Sequence, residues 1–303
     1  MKLIIGTRGS KLALIQTEYI KNLIKSKYEN IDIEIKIIKT KGDILLNKKI
    51  KDIGGKGIFV EEIEKNLLEK NIDIAVHSMK DIPSQKNSNL EFAPPPVAED
   101  PRDVLVSNKK ISSLNDIRGL KIGSGSLRRV TQIKKLIDVN TVDIRGNIDT
   151  RISKVDNNEV DGVILAYSGL KRANLTEKIS YIFDPLEIIP APCQGILAIE
   201  YRKDDLKIKK ILENISDKKT TFRANLERKF QCEIDSDCKK PVGIYINLEN
   251  NLEEKIKVTA FYGKEDGSFT IRKTIETDKK NAFKDIEKLA KYLKEKVNEK
   301  GNC

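Results

Sequence analysis

The chain has 303 residues, a length that corresponds to two or three domains at roughly 100–200 residues each. Hydrophobic residues make up 39% and charged residues 34%, with 17 glycines and 9 prolines, so collagen-like, Pro/Gly-rich and strongly disordered classes are excluded. Lysine and arginine total 57 against 46 acidic residues, and the net charge of +11 indicates an anionic partner: nucleic acid, a membrane surface or a small acidic ligand.

Strands and helices alternate over the first two-thirds of the chain, which predicts α/β lobes with largely parallel sheets. Short or alternating apolar runs predict strands at Leu3–Gly6, Ile31–Lys39, Ile72–His77, Val104–Ser107, Lys121–Gly123, Val142–Arg145 and Gly162–Ala166. Helical periodicity predicts helices over Lys11–Lys27 and Gly57–Lys70. The predicted buried face of the first helix consists of Leu14, Ile15, Tyr19 and Leu23, and that of the second consists of Phe59, Ile63 and Leu67.

The last third has a different pattern, typical of an α+β domain. A strand at Ile196–Tyr201 is expected to return to the first lobe's sheet. Beyond it, the pattern predicts a helix at Thr220–Phe230, strands at Val242–Asn247, Lys255–Phe261 and Ser268–Thr277, and a helix at Lys279–Lys300. The predicted domains are a discontinuous first lobe (1–97 with 196–216), a second lobe (98–195) and a smaller C-terminal domain (217–303).

The two predicted lobes share a weak internal echo. Ile5-Gly6 leads into a helix as Ile122-Gly123 does, and the segment 71–78 is similar to the segment 159–168. Two similar α/β lobes in tandem predict a cleft between them, in which a ligand binds.

A cytoplasmic location is expected, because no apolar run approaches the ~20 residues that span a bilayer. The first residues also reach Gly6 and Arg8 too early for a signal peptide.

The four cysteines (Cys193, Cys232, Cys238 and Cys303) show no C-x-x-C spacing, which favours free thiols. His77 is the single histidine; we expect it to be a core residue, and no metal site is predicted.

The arginines are distributed unevenly. Six of the twelve lie between positions 118 and 172: Arg118, Arg128, Arg129, Arg145, Arg151 and Arg172. Because arginine suits bidentate recognition of carboxylate or phosphate, this clustering predicts a binding site, with structural ion pairs as the alternative. Arg128 and Arg129 stand at the start of a predicted helix, where the dipole disfavours cations, so we expect an anion beside them.

Two glycine-containing loops, Gly6–Ser10 and Gly123–Ser126, each lead into a predicted helix and have an arginine close by. Free N–H groups at a helix start bind anions, and simple helix capping is the alternative interpretation. A third glycine-containing loop carries Lys56, which is predicted to place a cation over the cleft.

Asp81 is the candidate catalytic group. It follows a buried strand within His77–Pro83, and ligands of open α/β sheets bind at the carboxyl ends of strands. A carboxylate among many cations is suited to proton transfer or to stabilising a positive intermediate. The alternative is a structural salt bridge with Lys80 or an arginine.

Cys238, in a loop before a strand, is either a covalent attachment point or an inert exposed thiol, and the residues alone favour the second.

The sequence resembles the porphobilinogen deaminase family over nearly its whole length. The motifs that carry this resemblance, in the family's order, are Gly6–Leu14, Gly54–Phe59, Asp73–Pro83, Glu99–Asp103, Ser126–Arg129, Arg145–Asn147 and Gly169–Arg172. The H-S-M-K-D-x-P stretch within them is highly distinctive.

The resemblance implies two lobes like those of periplasmic binding proteins plus a third domain. It implies a transferase that condenses four porphobilinogen molecules head to tail, releasing ammonia, to give linear hydroxymethylbilane. It also implies a dipyrromethane cofactor joined by a thioether to Cys238. A monomer is expected, with porphobilinogen as its small-molecule partner and neither nucleic acid nor a membrane.

By the same resemblance, Asp81 hydrogen-bonds the pyrrole N–H groups, helps ammonia leave and stabilises the azafulvene-like cation that follows. The implied cofactor-binding residues are Cys238, Asp81, Lys80, Arg128, Arg129 and Ser126. The implied substrate-binding residues are Arg8, Ser10, Gln16, Lys56, Arg145, Asn147, Arg151 and Arg172. Each pyrrole unit carries an acetate and a propionate, which match the bidentate geometry of arginine.

The chain departs from the family's motifs at four places. Ser236-Asp237 replace two glycines before the cofactor cysteine, and Gly125 interrupts the usual G-T-S-S-L-R-R. Cys193 replaces the first glycine of G-Q-G, and Asp52 replaces a lysine. Two rival functions remain: a non-catalytic two-lobed anion-binding protein, and a nucleic-acid binder, for which no known module is found.

Overall fold

The computed structural model describes residues 1–40, 60–84, 87–234, 240–248 and 255–299. The strands are β1 Lys2–Thr7, β2 Asp32–Ile37, β3 Ile74–Ser78, β4 Leu90–Phe92, β5 Asp103–Ser107, β6 Lys121–Gly123, β7 Asn140–Val142, β8 Gly162–Ala166, β9 Ile179–Ile182, β10 Leu197–Arg202, β11 Val242–Asn247, β12 Ile256–Gly263 and β13 Thr270–Thr277. The α-helices are α1 Lys11–Lys25, α2 Glu61–Leu68, α3 Leu127–Leu136, α4 Ile148–Asp156, α5 Tyr167–Arg172, α6 Leu206–Glu213, α7 Lys218–Ile234 and α8 Ala282–Glu299.

The first sheet has the strand order β2-β1-β3-β10-β4. β1 pairs in parallel with β2 and β3, whereas β10 runs antiparallel to β3 and β4. The return of β10 to this sheet is as predicted. Ile20 and Ile24 of α1 pack on one face with Ile208 of α6, while Ile63 and Leu67 of α2 pack on the other face. Helices therefore cover both faces, as apolar strands require.

The second sheet has the order β7-β6-β8-β5-β9, with β6 parallel to β7 and β8 and with β5 antiparallel to β8 and β9. Ile133 of α3 lies in the core on one face, and Ile152 of α4 lies in the core on the other. The strand pattern repeats that of the first sheet.

The repetition extends to the register of the central strands. Gly6 of β1 lies opposite Ala75, and Gly123 of β6 lies opposite Val163 at the corresponding position. A Cβ at Gly6 would collide with Ile72, and one at Gly123 would lie 2.7 Å from Ile144 Cδ1. Each glycine therefore permits a close approach that a larger residue would prevent, which is the physical basis of the echo in the sequence.

The third sheet is the antiparallel meander β11-β12-β13, covered by α8 through Ile286, Leu289 and Leu293. Two five-stranded sheets covered by helices, and a smaller three-stranded sheet with its own helix, confirm the predicted fold class. None of the helices in the described part of the chain is long and apolar enough to cross a membrane.

The chain divides into two compact units. Unit 1 comprises 1–99 and 196–224 and contains the first sheet; unit 2 comprises 100–195 and 225–303 and contains the other two sheets. The finer division that separates 98–195 from 217–303 stays a prediction.

One predicted helix face is wrong. α1 buries Gln16, Thr17, Ile20 and Ile24, whereas Tyr19 is exposed. The buried polar groups are satisfied: Thr17 Oγ1 donates to the Ala13 carbonyl oxygen at 2.8 Å. The predicted strand at Val142–Arg145 is also misplaced, because the observed strand is Asn140–Val142 and shares only Val142 with the prediction. For the second predicted helix, Ile63 and Leu67 are buried as expected, and Phe59 lies outside the described residues.

Candidate functional site

The carboxyl end of β3 presents the candidate catalytic carboxylate in unit 1. After Ser78 the chain enters a single 3₁₀ turn, Met79–Asp81. The turn is anchored by the buried Met79 side chain and by the Met79 N–H, which donates to the Ile196 carbonyl oxygen at 3.0 Å. The Asp81 side chain is exposed and forms no hydrogen bond or ion pair with any described residue. A salt bridge to Lys80 or an arginine is therefore not seen in this part of the chain, and the carboxylate faces solvent, where a ligand can reach it.

Three other predicted residues of unit 1 lie near the start of α1. Gln16 is 4% exposed, and its Nε2 donates to Ser78 Oγ at 3.1 Å, which ties α1 to the end of β3. Ser10 is the N-cap of α1, and its Oγ accepts from the Ala13 N–H at 3.3 Å. Arg8 is half-buried in the loop between β1 and α1. Gln16 thus holds the end of β3, which leads into the turn that carries Asp81. Ser10 caps α1.

His77 is a core residue, as predicted, with 7% of its surface exposed. Its Nε2 lies 3.4 Å from Oε2 of the buried Glu200, at an angle that does not make a hydrogen bond. Burial and repulsion from Glu200 raise the pKa of Glu64. Among the described residues, no group of His, Cys, Asp and Glu is arranged to hold a metal ion.

In unit 2, the arginines at the start of α3 surround a carboxylate that the sequence did not single out. Asp103 is fully buried, while Arg128 and Arg129 are 5% and 6% exposed. Asp103 Oδ2 accepts from Arg128 Nη1 at 2.6 Å. Asp103 Oδ1 accepts from Arg129 Nε at 3.0 Å and Nη2 at 2.8 Å, and from Gln194 Nε2 at 2.9 Å. We call these four residues the Asp103 cluster.

The Asp103 cluster explains in part why two cations are tolerated at the start of α3, where the helix dipole disfavours them. The anion that balances Arg129 is internal, because its Nε and Nη2 donate to Asp103, while its Nη1 donates to the Ile164 carbonyl oxygen at 2.9 Å. Arg128 differs: Nη1 is used by Asp103 and the Ile189 carbonyl oxygen, but Nε and Nη2 donate to none of the described residues. Structural pairing therefore accounts for Arg129, and Arg128 retains an unused edge of its guanidinium.

Charge in the Asp103 cluster is not balanced. Burial alone would raise the pKa of Asp103, but attraction and hydrogen bonds from Arg128 and Arg129 outweigh it and hold that pKa well below its ordinary value. Two guanidinium charges therefore face one carboxylate charge, which leaves one positive charge in excess within this part of the chain. An additional anion near Arg128 would be stabilised.

The pH dependence of stability follows from this pKa. The unfolded aspartate has a pKa of about 3.9, so the unfolded chain takes up a proton before the folded one does. The stabilisation by Asp103 is complete above about pH 5 and declines as the pH falls further. We expect urea midpoints of the wild type to fall more steeply between about pH 5 and pH 3 than those of Asp103→Asn. Equal slopes in the two proteins would contradict the assignment.

Two other predicted arginines of unit 2, Arg145 and Arg151, lie near the start of α4. Arg151 Nε donates to the Gly146 carbonyl oxygen at 2.8 Å. Arg145 Nε is buried, lies 3.8 Å from Asp143 Oδ2 and makes no hydrogen bond. Asn147 is the exposed N-cap residue of α4, with no side-chain capping bond. An unsatisfied buried donor beside a helix start favours an acceptor from outside the chain.

Two further predicted residues, Arg172 and Ser126, lie at the end of α5 and at the start of α3. Arg172 Nη2 donates to the Gly195 carbonyl oxygen at 2.8 Å, which fixes the Cys-Gln-Gly loop. In that loop Cys193 is buried and has a φ of 61°, a conformation that favours glycine. Ser126 is the N-cap residue of α3 without a side-chain capping bond. Lys56 and Cys238 lie outside the described residues.

The family model that matches this chain and its sequence relatives carry the same family name. Residues 3–210 match the family model described as porphobilinogen deaminase, dipyromethane cofactor binding domain. Porphobilinogen deaminase of Clostridioides difficile (strain 630) is 45% identical, covering 99% of this chain and 100% of its own. Porphobilinogen deaminase of Clostridium novyi (strain NT) is 43% identical, covering 98% of this chain and 100% of its own.

Among solved structures, the Bordetella pertussis BvgS VFT2 domain is similar with a TM-score of 0.42 and 16% identity, covering 74% of this chain and 91% of its own. A periplasmic binding protein of a Legionella pneumophila arginine transport system has a TM-score of 0.39 and 14% identity, covering 71% and 92%.

By its sequence matches, this chain is an enzyme of tetrapyrrole biosynthesis with a dipyrromethane cofactor. The chain belongs to the porphobilinogen deaminase family.

Proposed function

We propose that this chain condenses four porphobilinogen molecules head to tail, releases an ammonia from each, and forms linear hydroxymethylbilane. Membership of the family over 99% of the chain is the observation that carries this proposal. The excess positive charge of the Asp103 cluster supports it, because porphobilinogen and its oligomers are polycarboxylates.

Asp81 is the proposed catalytic residue. Its carboxylate is exposed at the end of β3, and no described residue competes for its oxygens. It accepts hydrogen bonds from the pyrrole N–H groups of substrate and cofactor, and its negative charge stabilises the positive charge that develops on the substrate as ammonia leaves. Since Gln16 and Met79 fix the turn, Asp81 is held in place without being neutralised.

The residues of unit 2 fit a dipyrromethane, whose side chains are carboxylates. Arg128 offers an unused Nε/Nη2 edge, which is the geometry that binds a carboxylate side-on. We assign direct cofactor binding to Arg128 and Ser126, and a supporting role through Asp103 to Arg129. Lys80 and Asp81 of unit 1 are the other proposed cofactor-binding residues, and Cys238 is assigned the thioether. When bound, the group supplies the pyrrole to which substrate units are added.

The substrate-binding residues are proposed to hold the acetate and propionate groups of the incoming pyrrole. They are Arg8, Ser10, Gln16, Lys56, Arg145, Asn147, Arg151 and Arg172. The buried, unsatisfied Nε of Arg145 gives the clearest support, since a carboxylate would satisfy it. Gln16 acts through Ser78, and Arg172 acts through the loop at Gly195.

We further propose that the chain works in the cytoplasm as a monomer, with porphobilinogen as its partner and neither nucleic acid nor a membrane involved. This proposal rests on the chain's membership of the family alone.

The test is the stoichiometry of ammonia release. Incubation with porphobilinogen should release about one ammonia for each porphobilinogen consumed, and the product should cyclise to a porphyrinogen that is oxidised to a coloured porphyrin. Saturable binding of porphobilinogen without ammonia release would favour the non-catalytic anion-binding alternative instead. Binding of DNA with a steep dependence on salt would favour the nucleic-acid alternative.

A further inference from the structure

A separate cavity lies within unit 2, between α3 and the strands β12 and β13. Its volume is about 230 Å³. Leu136, Phe261 and Ile271 provide apolar walls, and the buried side chain of Gln132 lies at one side. None of these residues belongs to the proposed catalytic or cofactor-binding set.

Two cations line this cavity, and both are held by neutral groups. Lys135 Nζ donates to the Thr270 carbonyl oxygen at 3.2 Å and to Thr270 Oγ1. Arg272 Nη1 donates to the Leu186 carbonyl oxygen at 2.6 Å, and Nη2 lies 3.4 Å from the Glu187 carbonyl oxygen. Neither cation forms an ion pair with an acid in the described ranges.

Lys135 and Arg272 are both exposed to solvent at this cavity, and no acidic side chain of the described residues pairs with either. The pKa of Arg272 is lowered by burial, and no acidic group of the described residues opposes that effect. Carbonyl oxygens orient a guanidinium but carry only partial charge, so they leave most of its charge available. The geometry places two oriented cations beside an apolar space, and the two features together select a ligand with one anionic end and one apolar body.

We propose that the cavity is a binding site for a small organic carboxylate with a single apolar ring or a short branched chain. The carboxylate would pair with Arg272 and Lys135, and the apolar body would pack against Phe261 and Ile271. The volume of about 230 Å³ accommodates one substituted ring. Inorganic phosphate shares the charge but cannot use the apolar walls, so it should bind more weakly.

The experiment uses the full-length holoprotein and ¹⁹F NMR with 4-(trifluoromethyl)benzoate as the probe. Saturable line broadening is expected with the benzoate, and 4-(trifluoromethyl)benzamide, of the same shape but neutral, should bind at least about tenfold more weakly. Phosphate should compete only at much higher concentration.

Variants identify the site. Arg272→Gln and Lys135→Gln should each weaken benzoate binding by about tenfold, and Arg272→Lys by less. Lys134→Gln, which removes another exposed cation of the same helix that does not line the cavity, is the matched control and should bind as the wild type does. Equal affinity for benzoate and benzamide, unchanged binding in both Gln variants, or no saturable binding at millimolar probe would each overturn the proposal. Loss in the control as well would assign the effect to net charge and also overturn it.

Discussion

Replacing Asp81 with asparagine should lower the rate of porphobilinogen consumption by roughly 10²–10⁴-fold, the range for loss of a positioned acid–base or electrostatic group. Asparagine keeps the shape of the side chain but not the charge that stabilises the developing cation. Because Asp81 is exposed and bonded to no described residue, the free energy of unfolding should change by less than about 0.5 kcal/mol. The rate is measured in a stopped assay for porphyrin, and the stability by urea unfolding.

Asp204→Asn is the matched control. Asp204 is another exposed carboxylate of unit 1 whose side chain makes no bond within the described ranges, so its loss should leave turnover unchanged. Near-normal turnover by Asp81→Asn, in protein shown to carry the cofactor, would show that Asp81 does not have the proposed role.

Replacing Asp103 with asparagine should lower the free energy of unfolding by about 3–5 kcal/mol, because two buried guanidinium groups lose their only described counter-ion. Asparagine can still accept one hydrogen bond but leaves two positive charges close together in a buried site. Urea unfolding followed by circular dichroism measures the change. The double variant Asp103→Asn with Arg129→Gln should lose less than the sum of the single losses, because the repulsion is then relieved.

Asp100→Asn provides the comparison for this stability prediction. Asp100 pairs with Arg102 at 2.6 Å, but their side chains are 24% and 39% exposed, so its loss should cost at most about 1 kcal/mol. Equal costs for the two substitutions, or additive losses in the double variant, would contradict a buried, strongly coupled Asp103 cluster.

Much of the fold was predictable because it follows from local pattern. The echo between Ile5-Gly6 and Ile122-Gly123 predicted two similar lobes, and the matching registers of β1 and β6 show why. β4 and β9 were not predicted, since these strands at the sheet edges have only three and four residues, too few to establish a periodicity. The face of α1 was wrong because periodicity considers apolar residues alone. The buried Gln16 is satisfied by Ser78, 62 positions away, which accepts its hydrogen bond.

The sequence predicted which arginines belong to the candidate site, but not which carboxylate they pair with. The position of Arg128 and Arg129 at a helix start predicted an anion, and one was found inside the protein. Asp103 lies 25 residues before Arg128 in the sequence, and its burial depends on β5 lying between β8 and β9. That arrangement is tertiary, so no local signal distinguishes Asp103 from the other aspartates. Asp103 lies within the motif Glu99–Asp103, but that motif does not indicate its pairing with Arg128 and Arg129.

The most direct test of the central claim is the intact mass of the purified active protein, compared with that of Cys238→Ser. We predict that the wild type exceeds its sequence mass by one dipyrromethane, and that Cys238→Ser has the unmodified mass and no turnover. An unmodified mass in wild-type protein that is active, or an adduct that persists in Cys238→Ser, would contradict the account.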